Sequence, residues 1–141
     1  MADIHFEDNT LKIQSAMSQA IFEFMHEAAG EIESQVKRNT SVDTGQLKNS
    51  WTHHVAGSMM AGEYTATVGS PLELAIWREF GTGEWALNGN GRKTPWRYED
   101  RFGLWHTTTG TKPERALWKA IEKLKPKLQK ALESKLKGLG K

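Results

Sequence analysis

Three stretches of this chain carry residue types that could do chemistry. Asp43-Thr44-Gly45 matches the core of the aspartic-protease signature, in which two aspartates share one proton because two close carboxylates cannot both ionise. A single copy is present, so a symmetric dimer would be needed. The stretch also follows Arg38-Asn39-Thr40-Ser41 rather than an apolar strand. The competing reading is a structural turn over Asp43, Thr44, Gly45 and Leu47, in which Asp caps local N–H groups and Gly supplies positive φ. Gly89-Asn90-Gly91-Arg92-Lys93-Thr94 approaches a phosphate loop, but Arg92 separates the last Gly from the Lys and Pro95-Trp96 continues as strand-like sequence. A flexible basic loop fits that composition better. His53 and His54 are adjacent on a predicted strand, so they point to opposite faces and do not share a metal easily. No serine has a His and a carboxylate nearby in sequence, and the absence of cysteine excludes disulfides and thiolate sites. The residues therefore point to no enzyme: no catalytic group, no metal ligand and no cofactor is assigned.

The aromatic residues say more. Six tryptophans occur in 141 residues, more than one small core needs. Trp is enriched at interface hot spots because it buries much area at little entropy cost. Trp85 and Trp96 flank the glycine-rich stretch, where a monomer core is least expected. Trp77, Phe80, Gly81, Thr82, Trp85, Trp96, Tyr98 and Trp105 are the interface candidates. Alternatively, these aromatics with Arg92, Lys93, Arg97 and Arg101 could stack on and neutralise single-stranded nucleic acid.

The elements that hold these residues follow from periodicity. Ile13, Met17, Ala20, Ile21, Phe24, Ala28, Ile32 and Val36 recur at helical spacing after the N-cap candidates Asn9 and Thr10. They predict one amphipathic helix over residues 10–38, with Gly30 as a weak point. Such a helix is roughly 43 Å long, against ~37 Å for the diameter of a compact globule of this size. Its apolar stripe would overhang a monomer and meet a neighbour. Residues 46–50 read as one helical turn, and residues 51–56 and 63–68 as two strands. Pro71 opens a short helix with Leu72, Ile76 and Phe80 on one side. Residues 81–94 read as a flexible loop. Residues 95–101 and 104–109 form a hairpin, with Trp96 and Tyr98 on one face and Arg97, Glu99 and Arg101 on the other. Pro113 leads into a last helix with an apolar stripe from Leu117 to Leu136, which Pro126 should kink or split. Residues 133–141 are expected to fray. The pattern is a single α+β domain over residues 1–141, with a small antiparallel sheet.

Composition is that of an ordinary water-soluble fold, with 38% hydrophobic and 26% charged residues. No apolar run is long enough to cross a bilayer, and residues 1–8 are too acidic for a secretory leader. These features predict a protein that folds in the cytoplasm and is used there or in an assembled particle, with no membrane partner. Net charge is +2, unevenly placed: residues 1–111 hold 9 Lys+Arg and 14 Asp+Glu, whereas residues 112–141 hold 10 and 3. Lys119, Lys123, Lys127 and Lys130 are expected on the outer face of the last helix. There they would meet an acidic neighbour or passing DNA.

Read in order, the motifs resemble the neck family of long-tailed bacteriophages, the head–tail joining or tail-completion proteins. The resemblance rests on Asp43-Thr44-Gly45-Gln46-Leu47-Lys48-Asn49-Ser50, Glu79-Phe80-Gly81-Thr82-Gly83, Pro95-Trp96-Arg97-Tyr98 and Thr109-Gly110-Thr111-Lys112-Pro113, and runs from about Gln19 to Leu132. Two departures stand out. Val42 occupies a position often held by proline, and Leu74-Ala75-Ile76-Trp77-Arg78 precedes Glu79 where Tyr-Ala is common. The resemblance implies a structural virion protein without enzymatic activity, in a homo-oligomeric and most simply sixfold ring at the virion neck. It also implies head-closure (connector) and tail-terminator or tail-tube proteins as partners. A nucleic-acid-binding module using the basic helix and loop aromatics is the alternative.

Overall fold

The computed structural model describes residues 10–42, 45–58, 60 and 62–139. It is α+β. Helix α1 (Thr10–Asn39) and the short α2 (Gln46–Ser50) precede strands β1 (Thr52–Ser58) and β2 (Glu63–Gly69). Then come α3 (Glu73–Phe80), a 3-10 turn (Gly83–Trp85), strands β3 (Trp96–Glu99) and β4 (Trp105–Thr108), and α4 (Ala116–Leu139). The strands form two antiparallel pairs, β1–β2 and β3–β4, the small sheet and the separate hairpin that the sequence predicts.

Helix α1 buries Ala20, Phe24, Ala28 and Val36 as a stripe of fourfold spacing, widened by Ala29 and Gln35. The widening follows from two packing partners, α4 and the β1–β2 hairpin. Gly30 does not interrupt the helix. α1 and α4 run antiparallel, as the pairs along their seam require: Asn39 Nδ2 donates to the Ala116 carbonyl (3.1 Å), Lys123 Nζ to Gln35 Oε1 (3.3 Å), and Lys127 pairs with Glu31 (3.3 Å). Lys135 meets Glu23 at 3.9 Å farther along. α4 continues through Pro126 without splitting. Pro126 is exposed while Leu124 and Leu128 on either side stay packed, so the apolar stripe holds the helix together across the missing N–H.

The core lies where the end of α1, α2, α3 and the start of α4 converge: Val36, Leu47, Trp51, Ala75, Ala116 and Ala120. Trp51 ends α2 rather than opening β1. Its indole N–H donates to Thr40 Oγ1 (3.0 Å), which itself donates to the Val36 carbonyl (2.7 Å). The polar edge of a large buried ring is thereby satisfied.

Helix α3 is rotated so that most of its apolar side faces outward. Ala75 and Glu79 are buried, whereas Ile76 and Phe80 are exposed. Glu79 explains the rotation. Its carboxylate accepts the Leu117 amide (3.0 Å) and the Trp118 amide (2.9 Å). These are free donors of the first turn of α4. A negative group at this end also complements the helix dipole. Arg115, with φ 56, supplies the carbonyl that accepts from Lys119 N (2.9 Å).

The segment read as a flexible loop begins with a clasp. Thr82 N donates to the Thr111 carbonyl (2.9 Å), Thr111 N to Thr82 Oγ1 (2.9 Å) and Glu84 N to the Thr109 carbonyl (3.0 Å). Gly83 and Gly110 let the two backbones touch, since a Cβ on Gly83 would collide with the Thr109 carbonyl and one on Gly110 with the Thr82 carbonyl. Nearby, Glu114 N donates to the Arg78 carbonyl (2.7 Å), and the Glu114 carboxylate accepts Ser41 Oγ (3.0 Å) and the Ser41 amide.

Two stability outcomes follow. Glu79→Ala leaves two first-turn amides without their acceptor and is expected to cost about 2–3 kcal/mol in urea unfolding. Glu79→Gln, which keeps one acceptor oxygen, should lose less. Equal shifts of the two midpoints would show that the hydrogen bonds are not the cause. Gly45 sits before α2 at φ 82, and a Cβ there would meet only Asn49 Nδ2 at 3.6 Å. Gly45→Ala should therefore cost only the conformational penalty, about 1 kcal/mol. A stability unchanged by that substitution would contradict the turn assignment.

Candidate assembly interface

The β3–β4 hairpin is an arm. Trp96 pairs with Thr108, Arg97 with Thr107, Tyr98 with His106 and Glu99 with Trp105. Alternation puts Trp96 and Tyr98 on one face, as predicted, and Arg97, Glu99 and Trp105 on the other. Nearly every hairpin residue is exposed, on both faces. A two-stranded ribbon without a buried face is marginal by itself in water. Here it is held by its own pairs: Tyr98 stacks on His106 with ring centroids 5.3 Å apart, and the Arg97 guanidinium lies 5.5 Å from the Trp105 ring centre.

The turn between the strands is built on Asp100. Its Oδ1 accepts the Phe102 and Leu104 amides, each at 2.9 Å, and Oδ2 lies 2.7 Å from His106 Nε2. Chiefly the hydrogen bond to His106, then the Leu104 amide, holds the carboxyl below its ordinary value of 3.8, with desolvation opposing and the Phe102 amide and the His106 charge assisting.

Around the arm runs a belt of open aromatic surface. Trp77, Phe80, Trp85, Tyr98 and Trp105 keep between 41% and 59% of their surface exposed. Trp96 is half-buried and lines a groove of about 350 Å³ with Leu74, Trp77, Arg78, Thr82 and Thr111. Cations cover one side of several rings: Lys112 over Trp85 (4.7 Å), Arg92 over Trp96 (5.8 Å) and Arg101 over Phe102 (4.9 Å). Of the interface candidates, Thr82 belongs to the internal clasp, and Gly81 caps α3 through its N–H to the Trp77 carbonyl.

A second apolar groove, of about 340 Å³, lies between α3 and α4 and includes Ile76, Phe80, Leu117, Trp118 and Ile121. Sequence reasoning missed Trp118 and Ile76 as surface residues. Ile76 shares its helical spacing with Leu72 and Phe80, Trp118 lies off the predicted apolar stripe of α4, and no pattern in the chain announces that Glu79 faces inward. The four basic residues expected on the outer face of α4, Lys119, Lys123, Lys127 and Lys130, are all exposed, and Lys123 and Lys127 also reach Gln35 and Glu31 of α1. In the predicted Asp-Thr-Gly turn, Gly45 has positive φ and Leu47 is in the core, while Asp43 and Thr44 lie outside the described residues. His53 lies 3.3 Å from Glu33 and His54 points to solvent. Among the described residues no three His, Asp or Glu side chains converge as metal ligands, and no helix is long and apolar enough to cross a membrane.

The depressed Asp100 value makes the arm acid-sensitive with a definite sign. Its contribution is fully present above the ordinary carboxylate value of 3.8 and is lost as pH falls below that through the lowered folded value. In a 1H–15N titration the Phe102 and Leu104 amide shifts should hold steady from neutral pH down to 3.8 and collapse only below it. Asp100→Asn should abolish that transition, and a transition that survives the substitution would assign it to another group.

Compared with known proteins, the chain matches one family model, described as "Bacteriophage HK97-gp10, putative tail-component", over residues 6–81. That span covers α1 to the end of α3, just over half of the chain. No curated protein and no solved structure matches it.

Proposed function

Because this chain belongs to the HK97-gp10-like family of bacteriophage tail components, we propose that it is a structural subunit of the virion neck, where copies form a ring that joins the head to the tail. The family is structural, which points away from catalysis. The observation that carries the ring reading is the β3–β4 arm. It shows Tyr98 and Trp105 to solvent on opposite faces, and a ribbon of this kind gains a buried face by docking on a neighbour. The chain exposes 10441 Å², against about 7,400 Å² for a compact monomer of its mass. Two half-interfaces of ~800 Å² fit within that excess. Each copy meets its neighbours by different surfaces, so the contact is heterologous and closes into a ring, most simply sixfold. Head-closure proteins on one side and tail-terminator or tail-tube proteins on the other are the remaining partners, with the genome passing through.

The nucleic-acid reading has less support. The lysines of α4 that give the chain its basic end are partly neutralised within the fold, by Glu31 and Glu23 of α1. Several aromatic faces already carry an Arg or Lys.

Tyr98→Ser with Trp105→Ser removes two rings that also hold the ribbon, so the arm itself should loosen while the helical core, which contains neither residue, keeps its urea midpoint. Particles made with the double variant should accumulate as separate heads and tails in electron micrographs. Normal joining by that variant, or purified virions whose necks lack the protein, would overturn the reading.

A further inference from the structure

We propose that the α3–α4 groove is the socket for the N-terminal segment of a neighbouring copy. This rests on the reading that copies of the chain associate with one another. The groove is apolar at its walls, through Ile76, Phe80, Trp118 and Ile121, all of them exposed. Its rim is cationic. Arg115 lies 4.4 Å over the Trp118 ring, and its Nε is buried without a hydrogen-bond partner among the described residues. Exposed Lys119 lies one residue beyond Trp118. The socket therefore calls for a short segment with one or two large apolar side chains and nearby carboxylates, one of which completes the Arg115 donor.

Residues 1–9 have that composition. Ile4 and Phe6 are two apart, so an extended segment presents both on one side. Asp3, Glu7 and Asp8 flank them, and the segment has no Lys or Arg. The volume, about 340 Å³, lies at the small end of the ligand-pocket range.

Geometry decides that the segment comes from another copy. The groove sits at the start of α4, and the Asn39–Ala116 bond places that start beside the end of α1. Thr10 is at the opposite end of the helix. From Thr10 to Val36 the helix rises about 39 Å. Phe6 is four residues before Thr10 and reaches at most ~14 Å from it, and Ile4 at most ~21 Å. A chain cannot fill its own groove, whereas a head-to-tail neighbour brings its N-terminal end to it. Donor and socket at opposite ends of one long helix give the heterologous contact that a ring requires.

The chain has no cysteine, so single introduced thiols report contacts cleanly. Purified full-length Phe6→Cys and Ile76→Cys proteins are mixed under mild oxidation, both as concentrated free chain and during particle assembly. The expected result is a disulfide-linked heterodimer at least tenfold more abundant than that from Phe6→Cys with Lys130→Cys, an exposed position of α4 outside the groove. Phe6→Cys with Ile121→Cys, across the same groove, repeats the measurement should one variant fold poorly. The doubly substituted Phe6→Cys/Ile76→Cys chain should link between chains and not within one. Intrachain closure, or equal linkage to Lys130→Cys in both settings, overturns the assignment and leaves the groove to a different protein. Rings that form without the Phe6–Ile76 link would sink this inference alone. Linkage together with necks lacking the protein would instead sink the ring and leave the socket standing.

Discussion

Two amide hydrogens at the start of α4 and the carboxylate of Glu79 set the arrangement of this molecule. Helix α4 needs acceptors for its first turn and finds them not in its own capping residue but in a side chain from α3. The carboxylate is buried, and both of its oxygens are engaged. Breaking this contact exposes a charge and two polar groups to an apolar surrounding at once. Everything near it is consistent with that demand. Small Ala75, Ala116 and Ala120 let α3 and α4 approach the end of α1. The Glu114–Ser41–Arg78 cluster fixes the chain just ahead of α4. The clasp of residues 82–84 on residues 109–111 closes the path between the two helices.

One consequence is an inverted distribution of bulk. Where α3 meets α4, the buried side chains are alanines and a glutamate, and the large ones point out. The core proper holds a single tryptophan, Trp51. Most of the aromatic area therefore lies on the surface, around the β3–β4 arm and along the α3–α4 groove. Exposed apolar surface of this extent on a small chain marks a surface suited to binding. The fold supplies it by rotating one short helix and projecting one ribbon.

The charge asymmetry has a local use as well. The acidic face of α1 and the basic face of α4 meet along an antiparallel seam, through Glu31–Lys127 and Glu23–Lys135. These pairs are partly exposed and contribute little individually, but they favour the antiparallel alignment over its alternatives. Of the basic excess, Lys119 and Lys130 stay exposed for contacts outside the chain.

The sequence by itself determined the elements and their order. Helical spacing located α1 and α4, the Gly-bounded turn located α2, and alternation located both hairpins and the faces of β3, because these depend on local periods and turn chemistry. The family was legible in the ordered motifs for the same reason: Glu79, Gly81, Gly83 and Gly110 are dictated by backbone contacts that tolerate few alternatives. What tertiary structure alone decided is orientation. Whether α3 turned Ile76 or Glu79 inward depended on an amide pair nearly forty residues away. That exposed Lys127 finds Glu31 as its partner depended on how two distant helices align. Such outcomes are set by polar groups that must be satisfied across the chain, and no window of neighbouring residues contains both partners.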